Sequence, residues 1–299
     1  MNVNGREEIS IDRVLGWMVP LIVLLALVAA LAGLWPGEGI PYTLSNFRGE
    51  VVTINARGLY YWDTVSSAAQ MQANDLVTLL LGVPLLLIAL RLALAGSLRG
   101  RLLLSGTLGF VLYTYITMCF GAAYNQLFLV YVALFGLSLW AFVLSMRGID
   151  LASLPDHFSP NLPRRGIVGL LWAVGGFLLL AWLGRIAATW TGTPALENVT
   201  SLFIQAMDLA LIVPLCFVSG LLLLRGSAWG YLLASVALLK FLTLGLAVTL
   251  MGLNMRRMGV PVSLVELGIF PAIALFNLIM AVVLLRNITP STRKDTVAL

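Results

Sequence analysis

The chain has 299 residues, 60% of them hydrophobic and only 10% charged, and its mean hydropathy is +0.99. Soluble domains carry about a quarter charged residues, so this composition excludes an ordinary soluble domain and requires lipid as the solvent. One histidine, His157, and two cysteines without a C-x-x-C motif also exclude paired haem ligands, multi-histidine zinc sites and Cys/His dyads.

Crossing about 30 Å of hydrocarbon takes about 20 residues of helix. Apolar runs of that length predict eight spans, at 14-35, 75-97, 102-123, 126-146, 166-186, 201-224, 229-252 and 266-286, mostly bounded by Arg, Gly, Pro or Asn. The expected fold is an all-α polytopic membrane protein. The first span ends in Ala30-Leu31-Ala32-Gly33, which has the small-x-small spacing of a secretory cleavage site. Glu7, Glu8 and Asp12 ahead of it, and an apolar run too long for a signal peptide, favour a retained helix.

The segment from Pro36 to Asp63 is the only substantial connection on its side of the membrane. Val51 to Asn55, a break at Ala56-Arg57-Gly58, and Leu59 to Trp62 predict a small hairpin or an interfacial flap, which either covers the outer mouth or rests Tyr60, Tyr61 and Trp62 in the headgroup belt. Asp63 is a good N-cap, so the second helix is expected to begin there and to protrude from the membrane before reaching Gln72 and Asp75. Pro84 then bends it as a candidate hinge.

The third span carries Tyr113, Thr117, Gly121 and Tyr124 on one stripe, with Tyr124 the best suited to anchor at the interface. Cys119 in this span and Cys216 in the sixth read as buried small hydrophobes. Between the fourth and fifth spans, residues 147-165 form a proline-rich linker whose His157 reads as a loop residue. In the fifth span Gly169, Gly175 and Gly176 read as packing residues. Thr193-Pro194 resembles a helix cap before the sixth span, which contains Gln205, Asp208 and the second candidate hinge, Pro214. Lys240 lies mid-span in the seventh, where an unpaired ammonium is costly; Asp208 is its expected partner. A retinal Schiff base at Lys240 fails on the count of eight helices. Asn198-Val199-Thr200 and Asn287-Ile288-Thr289 match the glycosylation triplet, which is frequent by chance.

Several matches recur in order between the halves. Gln72-Ala73-Asn74-Asp75-Leu76 answers Gln205-Ala206-Met207-Asp208-Leu209, and Pro84 answers Pro214. Gly100, Leu102, Leu103 and Ser105 answer Gly230, Leu232, Leu233 and Ser235; Ala133-Leu134-Phe135 answers Ala274-Leu275-Phe276. The pattern predicts two tandem, parallel four-helix repeats, 1-146 and 166-299, joined by the linker, with the cleft between them.

Cytoplasmic termini put Arg6, Arg13, Arg91, Arg99, Arg101, Arg147, Arg164, Arg165, Arg225, Arg286, Arg293 and Lys294 inside. Arg48, Arg57, Arg185, Arg256 and Arg257 then fall outside, as the positive-inside rule expects for a bacterial inner membrane. These bases are scattered along span ends, so they point to lipid headgroups and not to nucleic acid.

No phosphate loop, nucleophile elbow or metal-spaced cluster occurs, and no cofactor is expected. The expected site is an outward-facing pocket between the repeats, lined by Gln72, Asp75, Tyr113, Thr117, Gln205, Asp208 and Lys240, that binds or transports a small polar or cationic solute. Two other readings remain open: a non-transporting scaffold or sensor that uses the 36-63 loop, and a membrane-embedded lipid-modifying enzyme.

Overall fold

A computed structural model describes residues 3–192 and 195–289, with side chains from Ser10 onward. The side chain of Arg6, the expected cap Thr193-Pro194, and Arg293 and Lys294 lie outside the described residues. Among the described residues eight helices are long and apolar enough to cross a membrane, which makes this a multi-pass membrane protein. They are α1 (Val3–Leu34), α2 (Val65–Leu94), α3 (Leu98–Gly121), α4 (Phe128–Arg147), α5 (Arg164–Ala188), α6 (Phe203–Leu224), α7 (Ala228–Arg257) and α8 (Leu264–Arg286).

Helix boundaries follow local chemistry. Ser263 and Glu266 cap α8 reciprocally, and Ser97 accepts the Gly100 amide at the start of α3. The turns leading into α3 and α7 pass through Gly96 (φ 78°) and Gly226 (φ 70°), in the left-handed region that favours glycine.

Proline shapes the middle of two helices. Pro84 lacks the amide that would bond to Leu80, and its ring would crowd that carbonyl. The helix widens into a π turn over Thr78–Gly82, and Val83 N–H reaches back five residues to the Thr78 carbonyl. α6 does the same before Pro214, over Asp208–Ile212, with Val213 N–H on the Asp208 carbonyl.

α3 and α7 cross at the centre, where a Cβ on Gly106 would overlap Leu239, so the bare glycine sets the close approach. Apolar packing falls into two clusters. One joins α1, α2, α3 and α4 with Ala247, Leu250 and Met251 of α7; the other joins the linker with α5, α6, α7 and α8 and takes in Leu102 and Tyr113 of α3. Of the fifth-span glycines only Gly175 is needed for packing, since a Cβ there would come 2.8 Å from Cys216 Cβ, whereas Gly169 and Gly176 face open space.

The segment after α1 forms a hairpin, but not the expected one. β2 (Val51–Ile54) pairs antiparallel with β1 (Tyr42–Ser45), and Leu59 to Trp62 is a turn returning to Asp63. Thr64, not Asp63, caps α2 by accepting Ser67 N–H at 3.1 Å. At the other end, the linker's short 3-10 turn (Leu154–His157) lies against the end of α8: Phe158 bridges Ile288, and Thr289 N–H donates to the His157 carbonyl. His157 is half-buried there, its Nδ1 3.2 Å from the Thr289 carbonyl oxygen. Cys216 is buried, but Cys119 is only partly so.

Candidate functional site

The residues singled out in the sequence fall into three places. The first surrounds Asp75, three turns into α2. Its Oδ2 accepts the Tyr60 hydroxyl at 2.6 Å, and a Cβ on Gly33 of α1 would overlap the same oxygen. Tyr115 of α3 and Tyr131 of α4 stack nearby with centroids 6.2 Å apart, and both hydroxyls are buried. Burial, and then the Asp75 carboxylate, push the Tyr60 phenol well above its ordinary value.

The second place lies where α3, α5, α6 and α7 meet. Asp208, the first residue of the π turn, accepts the Tyr113 hydroxyl and the Trp182 indole N–H, both at 2.8 Å. Lys240 does not form the expected ion pair with it. The ammonium sits 4.2 Å above the Tyr113 ring and 5.4 Å from the Phe241 ring, and its Nζ is buried without a hydrogen bond. Tyr113 takes the place between the two charges, its hydroxyl on the acid and its ring face under the base. The only salt bridge among the described residues is Arg101–Asp12 at 2.9 Å.

The third place is a cavity of about 1460 Å³ at the hairpin end. Its walls are the end of α1, the hairpin, the first turns of α2, the last turns of α7 and the turn before α8. Gln72 is on its wall with Asn254 and Arg257, while Asp75, Asp208 and Lys240 are not. The expected single pocket is therefore divided: Gln72 lies in the cavity, Asp75 in one buried cluster, and Tyr113, Asp208 and Lys240 in another.

The remaining expected residues have other neighbours. Thr117 donates to the Thr114 carbonyl at 2.6 Å, Gln205 is buried beside the π turn of α6, and Gly121 makes room for the Phe203 ring. Tyr124 is 79% exposed beyond the end of α3, as an interfacial anchor would be.

No family model, curated protein or solved structure matches this chain. Function therefore has to be argued from the site itself. Among the described residues no three His, Cys, Asp or Glu side chains stand together as metal ligands.

One side of the cavity is held by a clasp. Asn46 Nδ2 and Arg48 donate to the Glu197 carbonyl at 2.7 and 2.6 Å, and Arg48 also reaches the Val199 carbonyl at 2.8 Å. Glu50 accepts the amides of Leu196 and Glu197, and Thr64 donates to the Glu197 carboxylate. Held on both sides, Glu197 adopts φ 53°, a conformation that costs a non-glycine residue energy.

Next to the clasp, Asp63 turns away from its expected capping role. Its Oδ1 accepts the Ala123 amide at 3.0 Å, tying the start of α2 to the end of α3. Burial pushes its carboxyl up to about 6, against the lowering effect of the bonds from Ala123 and Ser67.

Sequence reasoning missed Trp182, Tyr115 and Tyr131. Each is an aromatic residue with one polar atom inside an apolar run, and a buried indole N–H or phenol usually seeks a partner. That preference was the available signal, but spacing alone does not say which face of the helix meets a carboxylate.

Proposed function

We propose that the protein binds a small polar solute in the cavity at its hairpin end, and passes it across the membrane between two tandem four-helix halves. The observation that carries this reading is the cavity itself. It takes its walls from α1, α2 and the hairpin on one side and from α7, the turn before α8 and Glu197 on the other. Concave sites of this kind, formed between two structural units, are where ligands usually bind.

The wall chemistry favours a solute rich in acceptor oxygens over a simple cation. Arg257 makes no hydrogen bond or ion pair among the described residues, and Gln72 presents an amide, whereas Glu50 and Glu197 already accept bonds in the clasp. The two halves are supported by the recurring π turn, proline and left-handed glycine. The excess of Lys and Arg on the side of the termini supports cytoplasmic termini, a hairpin facing outward and placement in a bacterial inner membrane. The π turns before Pro84 and Pro214 are the proposed bending points. Asp208, Tyr113 and Lys240 are the proposed charge centre beneath the cavity.

The test is ligand-dependent thermal stability, followed by uptake into proteoliposomes, across a panel of amino acids, sugar phosphates and polyamines. A stabilising solute should lose its effect in Gln72→Leu, and uptake should fall at least tenfold in Asp208→Asn. A panel without a stabilising member, or a stabilisation indifferent to Gln72, overturns the reading. The crossing of α3 and α7 at Gly106 and Leu239 favours a second reading, a receptor that binds without transport. Binding without uptake would select it.

A further inference from the structure

We propose that the ligand of this cavity is an amphiphile, specifically a membrane lipid with a zwitterionic phosphodiester and ammonium head, drawn in sideways from the hairpin-side leaflet. The inference rests on the cavity reading above and names its ligand class.

The first observation is that the lining changes character with depth. Arg57, Arg257 and Glu38 stand among the groups near the hairpin, while further down α2 and α7 the wall is Leu76, Leu250 and Leu253. The apolar part does not end at the cavity floor. Leu76 (36% exposed) is followed one turn deeper by Leu80 (66%), and Leu253 (51%) and Leu250 by Leu246 (37%) on the same face of α7. A seam of exposed and partly exposed leucines thus leads from the polar chamber down two adjacent helices. A wholly polar solute has no use for this seam, but an acyl chain lying along it leaves the bilayer only in part.

The second observation is the charge on the wall. The lining holds three carboxylates, Glu38, Glu50 and Glu197, and two guanidinium groups, Arg57 and Arg257. A head carrying only negative charge meets a net negative wall. A head carrying both signs finds a partner for each. Among the described residues Arg257 makes no side-chain bond and Arg57 spends only Nε, on the Gly39 carbonyl at 2.8 Å, which leaves two planar forks for phosphate oxygens. Glu50 and Glu197 are occupied by backbone amides and by Thr64, whereas Glu38 makes no such bond among the described residues and is exposed for an ammonium.

The experiment uses the full chain, stripped of lipid in neutral detergent and titrated while its thermal unfolding is followed. Three probes are compared: phosphatidylethanolamine, phosphatidylglycerol with chains of the same length, and glycerophosphoethanolamine, which has the head but no chains. Phosphatidylethanolamine should bind at least tenfold more tightly than either other probe. Arg257→Gln and Leu253→Asp should each weaken it at least fivefold. Both positions are exposed, so both variants should fold, and Leu129→Ser on the lipid-facing side of α4 should leave binding unchanged.

Equal binding of the chain-free head overturns the amphiphile inference while leaving a polar-solute cavity in place. Equal binding of phosphatidylglycerol overturns the zwitterionic assignment. Indifference to both Arg257 and Leu253 marks the lipid as ordinary annular lipid and overturns the site. No binding by any probe overturns the inference as well; if the solute panel also fails, the cavity reading falls with it.

Discussion

Asp75 in α2 and Asp208 in α6 share the neighbours Gln, Ala and Leu, yet they are buried in different ways. Asp75 is sealed inside the first cluster, with Tyr60 on its Oδ2, two further tyrosines nearby and no cation. Asp208 is held between helices: Tyr113 comes from α3, Trp182 from α5, and Lys240 of α7 lies across the Tyr113 ring. The difference follows from register. Pro84 and Pro214, Gly96 and Gly226, Ser97 and Ser227, and both π turns recur at one spacing, whereas the two aspartates recur at a spacing three residues longer. In the register of the π turns, Asp208 matches Thr78 and Asp75 matches Gln205. Similar sequence around a residue therefore does not give it the same place in the helix when a π turn lies close by.

The sharpest way to break this comparison is at Gly33. Replacing it with Val places a side chain where Asp75 Oδ2 and Tyr60 Oη stand, which forces α1 from α2. Overpacking of this kind costs about 3 kcal/mol, so a large fall in melting temperature is expected, while Gly16→Ala on the same helix, with nothing near its Cβ, should change little.

The next largest effect is pH dependence confined to the first half, where Asp63 has no counterpart at the start of α6. Its carboxyl titrates near 6 when folded, against 3.8 for an ordinary aspartate. The stability it contributes is therefore complete below about pH 4 and is lost as pH rises through 6, a change of about 2 to 3 kcal/mol. Asp63→Asn should flatten that part of the stability profile; an unchanged slope would assign it to another group.

A double-mutant cycle sharpens the contrast between the aspartates. Asp208→Asn and Lys240→Met should couple by about 1 to 2 kcal/mol, whereas Asp75→Asn and Lys240→Met should be additive. Chemical unfolding of the four variants and the parent measures both. Coupling at Asp75 would mean that the two clusters act as one site. The smallest effect is Trp182→Phe, which removes one interhelical bond to Asp208 and should cost about 1 kcal/mol. If α5 merely packs there, Trp182→Phe will unfold like the parent.

Much of the architecture was legible in the composition. A chain that must satisfy its backbone within lipid has few options beyond helices, so eight apolar runs predicted eight spans within a few residues, apart from the early start of α1 and the late end of α7; the early start of α2 was signalled by Asp63 and Thr64. The hairpin register was not legible, because Tyr42 to Ser45 alternates weakly and only pairing with Val51 to Ile54 makes it a strand. The depth of Lys240 correctly required a compensating neighbour, but depth says nothing of azimuth, and an aromatic ring took the position assigned to a carboxylate. The cavity was harder still. Its wall joins the end of α1 to the end of α7, and only folding makes those segments neighbours.

The clasp on Glu197 has a counterpart at the other end of the molecule, where Arg99 donates to the Ile288 carbonyl at 2.5 Å and the linker is laced to the end of α8. The two halves proposed above would therefore be riveted together at top and bottom, like two staves bound by hoops. A rocking motion of one half against the other would have to break a hoop. Bending in the middle, at the widened turns before Pro84 and Pro214, leaves both intact. Force applied at the hairpin would then be met by a change of curvature in two helices, and Asp208, the first residue of the widened turn in α6, would feel it directly.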